Sequence, residues 1–453
     1  MALIAPFRGL RYNPDRIDNM EEVVTPPYDV IDEKAHAALI RKNPYNMVQL
    51  DLSKHFEQNV PLDERYARAR NLFEQWQAEE ILIRDRVPAI YLYDTEYVHP
   101  SGRRLTRRGF VCLVQLAEFA EGIVKPHEKT FKEFTTDRLR LLDTCQTQFS
   151  KIFALYSDEQ GQVMACLDQA VDQEVLCAAR DIDGNLHTIR AVTEPFALQK
   201  IRELLAERSL YIADGHHRYT TALQYRDLAR QRFGSLAADS PFNYTMMYLC
   251  PMEDPGLSVL PTHRLVRLPG IHAAADLIQK LSSCFTIEEM HNDSREVLVA
   301  EALAKMDEER GRGNVFGLYH PGEDRCFSLT LKSGVMEKQM QEHMPPELRA
   351  LDVVVLSELI LDNLLGLDHD RCEAGKLIDY FSDPDEAMDA VVKESTAAVQ
   401  STPILFLLNN TPVSQVREVA DTGLVMPHKS TFFYPKVLTG LVMNKIVETE
   451  KVA

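Results

Sequence analysis

The sequence predicts a mixed α/β (α+β) fold made of more than one domain, and three observations carry that reading. Apolar runs of strand length alternate with segments whose apolar residues recur at helical spacing. At 453 residues the chain is too long for one ordinary core, which implies about two to four domains. A content of 45% hydrophobic and 26% charged residues describes a globular chain. No apolar run reaches the roughly 18 residues that a membrane helix needs; even the richest, Val353 to Leu367, is broken by Ser357, Glu358, Asp362 and Asn363. Met1 to Arg8 has neither the basic nor the apolar part of a signal peptide, so a cytoplasmic protein is expected. Fifty basic against 68 acidic residues give a net charge of -18, which disfavours general nucleic-acid binding and leaves room for a local pocket for one nucleotide. Eight cysteines include no Cys-x-x-Cys pair and are expected as buried thiols rather than disulfides or zinc ligands.

Three regions are expected: 1–100, an N-terminal α/β region; 101–270, a core; and 271–453, a C-terminal α/β region. In the first, residues 32–42 read as a helix, 63–79 as an amphipathic helix with Tyr66, Ala69, Leu72, Phe73 and Trp76 on one face, and 89–93 as a strand. Thr25-Pro26-Pro27-Tyr28-Asp29 is a stiff turn, equally suited to a pocket rim or to a structural role. Pro100-Ser101-Gly102 turns a hairpin whose arginines, Arg103, Arg104, Arg107 and Arg108, are expected at a solvated edge. Strands at 110–116, 151–156 and 244–250 alternate with helices at 135–149, 158–172 and 195–208, and 174–193 is a hairpin turning at Asp183-Gly184-Asn185. Beyond residue 271, helices are expected at 273–281, 297–309 and 387–399 and strands at 285–290, 315–319, 325–331 and 403–408. Residues 352–365 read as a long apolar helix with Val353, Leu356, Leu359, Ile360 and Leu364 facing a core.

The chemistry concentrates at Leu210 to Leu223. Four strand-like residues run into Asp214-Gly215, and Tyr219, Ala222, Leu223 and Arg226 then share one helical face. Asp214 is expected to cap the helix or to help hold Mg²⁺, and Gly215 permits a sharp turn. His216, His217 and Arg218 fall in the first helical turn, where free N–H groups already favour an anion, so phosphate is the expected ligand. A second concentration is Lys125-Pro126-His127-Glu128-Lys129-Thr130, a proline-stiffened loop that combines cations for phosphate oxygens with a carboxylate able to accept a nucleophile's proton. Pro261-Thr262-His263-Arg264 offers another imidazole and guanidinium. Lys429, Ser430, Thr431 and Lys436 lie on a tail loop that echoes residues 125–131. No Walker loop, Gly-x-Gly-x-x-Gly turn, Gly-x-Ser-x-Gly elbow or His-Glu-x-x-His helix occurs.

Asp214-Gly215-His216-His217-Arg218 resembles the signature of the ParB/sulfiredoxin superfamily, in which a Gly-x-x-Arg turn before a helix holds a nucleotide or phosphate. Within that superfamily it is most similar to the free serine kinases. The sulfiredoxins carry a cysteine where His216 stands, which disfavours a sulfinic acid reductase. Together with Thr25 to Val30, Lys125 to Thr130, Leu260 to Arg264 and Phe433 to Lys436, the stretch resembles a bacterial and archaeal family catalogued as domain of unknown function 1015. The resemblance implies a ParB/sulfiredoxin-like core with an inserted hairpin and α/β extensions on both sides. It also implies a phosphotransferase using ATP or ADP with Mg²⁺ on a small hydroxyl compound such as free serine. Glu128 and His217 would then be catalytic, with Gly215, His216, His217, Arg218, Lys129 and Thr130 on the phosphate. Asp214, His127, His263, Arg264, Lys429 and Ser430 would support them or meet the substrate. A nucleotide-sensing regulator without turnover and a phosphoester hydrolase are the alternatives.

Overall fold

The computed structural model describes residues 1–51, 61–270, 273–292, 294–340, 344–396 and 401–452. The expected start of the C-terminal region at 271 and the last residues of the helix expected at 387–399 lie outside these. The chain divides into two compact units, Met1–Ser258 with Pro435–Ala453, and Val259–Tyr434. Both mix helices and strands. Among the described residues no helix is long and apolar enough to cross a membrane.

In the first unit a 9-stranded mixed sheet contains β1 (Ile4–Ala5), β2 (Ile90–Val98), β3 (Arg104–Gln115), β4 (Val124–Lys125), β5 (Ile152–Tyr156), β6 (Cys177–Arg180), β7 (Leu186–Val192), β8 (Leu210–Asp214) and β9 (Tyr244–Pro251). Their order is β4-β8-β5-β9-β3-β2-β7-β6, with β1 added to β3. The hairpins expected around Pro100-Ser101-Gly102 and Asp183-Gly184-Asn185 are β2–β3 and β6–β7. Strand β8 runs parallel to β4 and antiparallel to β5.

Because side chains alternate across a sheet, each strand serves two environments. One face, with Leu92, Phe110, Cys112, Ala154, Ile212, Met247 and Leu249, packs against helical Val163, Ile201, Leu205, Tyr219 and Ala222 in one apolar core. The opposite face carries Tyr93, Phe153 and Tyr248, whose ring centroids lie 5.1 and 5.0 Å from one neighbour to the next. Across that face the chain returns after Tyr434, with Thr439 bridged to Thr25 and Met443 to Leu10.

Parity also explains one correction. Arg107 was expected at a solvated edge but is 0% exposed, with its guanidinium 4.9 Å from the Phe153 ring centroid and 5.5 Å from that of Tyr248. Arg103 and Arg104 do lie at the surface, and Arg108 is ion-paired to Asp94 and Asp168. All eight cysteines are free thiols, and seven are buried.

The second unit is built on a 6-stranded sheet of β10 (His263–Pro269), β11 (Phe285–Met290), β12 (Val315–His320), β13 (Arg325–Leu331), β14 (Ile378–Phe381) and β15 (Ser401–Leu407), in the order β11-β13-β12-β15-β10-β14. Every neighbouring pair is antiparallel. The segment expected as an α-helix over 352–365 is a short α-turn, Asp352–Val354, continued as a π-helix, Val355–Leu364. Val353, Val354, Val355 and Leu356 are all buried, so successive positions, and not one stripe, must face apolar neighbours. A wider turn is one way to satisfy such a run.

Candidate functional site

The first unit gathers the Asp214 turn and the Lys125–Thr130 loop at one place, because β4 and β8 are adjacent in its sheet. Strand β8 does not end regularly. Ile212 pairs with Ala154 whereas Asp214 pairs with Phe153, a bulge of one residue. Directly opposed residues share a sheet face, so the bulge moves Asp214 from the helix-covered side, where Ile212 and Ala154 lie, to the side of Phe153 and Arg107. Gly215 follows with φ of 96°, and a β-carbon there would sit 2.9 Å from Arg218 Nε. Helix His216–Phe233 then starts with Gly215 at its N-cap position and no side-chain cap. The cap expected from Asp214 is therefore not made. Its carboxylate instead accepts from Arg218 Nη2 and Lys436 Nζ, each at 3.0 Å.

The two histidines bind the neighbouring loop. His127 N donates to His216 Nε2 at 3.2 Å, and Phe131 N donates to His217 Nε2 at 3.0 Å. A ring nitrogen that accepts a backbone N–H carries no proton, so each imidazole is neutral and protonated at Nδ1. Burial, aided by the neighbouring His127, holds the His216 pKa well below the ordinary range, and burial pushes His127 down to about 4. The two rings meet edge to face at 4.6 Å, and His217 stacks on Phe131 at 6.0 Å. His216 Nδ1 faces Glu128 Oε2 at 3.8 Å, which places the loop's carboxylate beside the helix start. Thr130 meets Thr220 at 3.5 Å between hydroxyl oxygens, while Lys129 is exposed. The motif's imidazoles thus pin the loop to the helix, and neither is presented as a cation.

The positive charge comes from elsewhere. Arg218 donates through Nη1 to the Lys151 carbonyl and through Nη2 to Asp214. Lys151, 2% exposed, donates to Leu438 O at 2.6 Å, and burial together with the Arg218 charge pushes its pKa down to about 7. Lys436 completes the group through Asp214. Neither Lys151 nor Arg107 was expected at a site. The signal that could have found Lys151 is its parity with Phe153 at the head of a buried strand, where a lysine has no structural reason to stand.

A family model described as "Protein of unknown function (DUF1015)" matches residues 4–354. The chain belongs to this family. The match spans the 125–130 loop, Lys151 and the turn at 214–218, and it ends before Lys436. No curated protein matches the chain. Among solved structures, a free serine kinase mutant in complex with ADP is 13% identical, with 72% of this chain and 91% of that chain covered at a TM-score of 0.33. A conserved hypothetical protein from Pyrococcus furiosus is 14% identical, covering 72% and 94% at 0.31. A C-terminally truncated SbnI from Staphylococcus aureus is 9% identical, covering 72% and 85% at 0.33. TM-scores this low transfer neither fold nor site to the DUF1015 chain.

Beside Arg218 the DUF1015 chain has a cavity of about 60 Å³ whose lining includes Tyr28, Asp51, Arg138, Ser150 and Thr221. Asp51 accepts from Arg138 at 2.7 Å and from Ser150 at 2.5 Å, and the Arg138 guanidinium lies 4.1 Å from the Tyr28 ring centroid. The Thr25–Asp29 turn therefore borders a cavity. Four other expected residues belong to the second unit. His263 Nδ1 accepts from Leu408 N at 3.2 Å, and buried Arg264 lies 5.4 Å from the Tyr380 ring centroid. Lys429 adopts a left-handed φ of 58°, and Ser430 donates to Pro427 O at 2.6 Å. Among the described residues no group of three or more His, Cys, Asp or Glu could hold a metal. With its oxygens engaged by Arg218 and Lys436, Asp214 does not fit the Mg²⁺ ligand expected of it.

Proposed function

We propose that the first unit binds a nucleotide or another phosphorylated compound at the start of helix His216–Phe233 and transfers a phosphoryl group to a small hydroxyl compound. ATP or ADP is the donor, and free serine is the acceptor that the sequence resemblance names. The observation that carries this reading is the uncapped helix start that has Arg218 in its first turn and Glu128 3.8 Å from His216. Free N–H groups and a guanidinium at one point favour phosphate, and Gly215 lets the Arg218 guanidinium lie close against the turn. Lys129 and Thr130 extend the phosphate-binding surface from the loop.

In the reaction the acceptor's oxygen attacks the terminal phosphorus, its proton passes to Glu128, and the bond from phosphorus to the leaving phosphate oxygen breaks. Arg218 and the helix N–H groups meet the charge on the transferring group, where electrostatic stabilisation acts most strongly. The His216 Nδ1–H stands 3.8 Å from Glu128, while His217, through Phe131, keeps the loop in place. The test is calorimetric titration with ADP of the wild type and Arg218→Ala. Loss of a hydrogen bond to a charged group should weaken binding by about 1.5 to 3 kcal/mol. Equal affinity in both proteins removes Arg218 from the site and the reading with it.

A further inference from the structure

The returning C-terminal segment receives more buried polar groups than a covering loop requires. Leu438 N donates to Tyr93 Oη at 3.1 Å, Arg107 Nη1 donates to Pro435 O at 2.6 Å, and Lys151 Nζ donates to Leu438 O at 2.6 Å. The three side chains come from β2, from β3 and from the residue preceding β5. Tyr93 is itself fixed from behind, with its hydroxyl 2.8 Å from His187 Nδ1 and Asp181 3.1 Å from His187 Nε2. Arg107 and Lys151 are 0% and 2% exposed, yet each is answered by a backbone carbonyl and aromatic rings and not by a carboxylate. Burying cations in this way is costly, and replacing them by apolar groups would hold a passive segment as well.

Seated in this way, the segment places Lys436 Nζ 3.0 Å from one Asp214 oxygen while Arg218 Nη2 lies 3.0 Å from the other. One carboxylate therefore sets two cationic heads side by side at the start of the helix. An anion lying there meets both heads at once.

We infer that Lys436 is a second anion-binding residue beside Arg218, and that Tyr93, Arg107 and Lys151 are positioning residues that seat the segment carrying it. This rests on the phosphate-binding reading above. Its ligand class is the same phosphate-bearing anion, and Lys436 lies outside the residues that the family model matches.

The experiment is ADP titration of the full-length wild type, Lys436→Met, Lys436→Arg, Tyr93→Phe and Arg218→Ala, with hydrogen exchange read at Leu438. Lys436→Met keeps the stem and loses the charge, so affinity should fall roughly tenfold or more, and Lys436→Arg should restore most of it. Tyr93→Phe removes only the hydroxyl, so it should both speed exchange at Leu438 and weaken ADP binding. A merely structural role would lower the thermal midpoint and leave ADP affinity unchanged. If Lys436→Met and Tyr93→Phe keep wild-type affinity while Arg218→Ala loses it, this inference is overturned and the phosphate site stands. If the wild type fails to bind ADP, or Arg218→Ala binds as well as the wild type, the reading falls and the inference falls with it.

Discussion

Replacing Gly215 by alanine perturbs the turn at one atom. The residue sits at φ of 96°, in the left-handed region where a β-carbon costs about 1 to 2 kcal/mol. The added carbon would also lie 2.9 Å from Arg218 Nε and 3.1 Å from its Cζ. Arg218 cannot simply swing aside, because it donates to both Asp214 and the Lys151 carbonyl. Giving up one of these charge-assisted bonds costs about another 1.5 to 3 kcal/mol. Urea unfolding should therefore show Gly215→Ala destabilised by roughly 2 to 4 kcal/mol once relaxation is allowed for, with ADP affinity reduced in the protein that remains folded. A loss below about 0.5 kcal/mol, the ordinary effect of a surface substitution, would refute the argument that this glycine is dictated by the turn and by Arg218.

Two further outcomes follow from titration. His127 titrates at about 4 when folded and near 6.5 when unfolded, so the stability it contributes is fully present above pH 6.5 and lost as pH falls toward 4. The full effect is about 3 kcal/mol, and His127→Asn should flatten that part of the urea-stability profile relative to wild type; parallel profiles would contradict it. Lys151, at about 7, is partly deprotonated at neutral pH, and an anion bound beside Arg218 should raise its pKa. ADP binding at pH 8 should therefore take up protons, giving a binding enthalpy that varies with the buffer's ionisation enthalpy, and affinity should weaken from pH 6 to 9. Buffer-independent enthalpy would separate Lys151 from the ligand.

Much of the local structure was legible because it is local. The helix at Glu33–Lys42 has Asp32 as its cap, accepting from Ala35 N at 2.7 Å, and the hairpin turning at Gly184 follows from a residue that tolerates φ of 82°. The sequence singles out the Asp214 turn and the Lys125–Thr130 loop separately, and the β4–β8 pairing brings them together. What the sequence hides depends on distant partners. Asp214 is a good helix cap by residue type, but a bulge against β5 turns it to the other sheet face, toward a lysine 222 positions away. His216 and His217 read as cations until their roles as acceptors are visible, since protonation is set by the loop N–H groups they meet. Arg107 reads as surface because it lies in a hairpin with three other arginines, and only the strand's parity shows that it points at Phe153 and Tyr248. The π-helix at Val355–Leu364 is beyond a 3.6-residue pattern altogether.

The central claim is that Glu128 accepts a proton from a small hydroxyl compound during phosphoryl transfer. Wild type and Glu128→Gln should be incubated with Mg²⁺, ATP or ADP and an amino-acid pool containing serine, with products followed by mass spectrometry and ADP binding measured in parallel. Glutamine keeps the shape and hydrogen-bonding reach of glutamate but cannot take the proton. The account predicts a phosphorylated hydroxyl compound from the wild type, ADP affinity retained in Glu128→Gln, and kcat lowered by roughly 10² to 10⁴. Undiminished kcat in Glu128→Gln would contradict it, as would ADP binding without any phosphorylated product from the wild type.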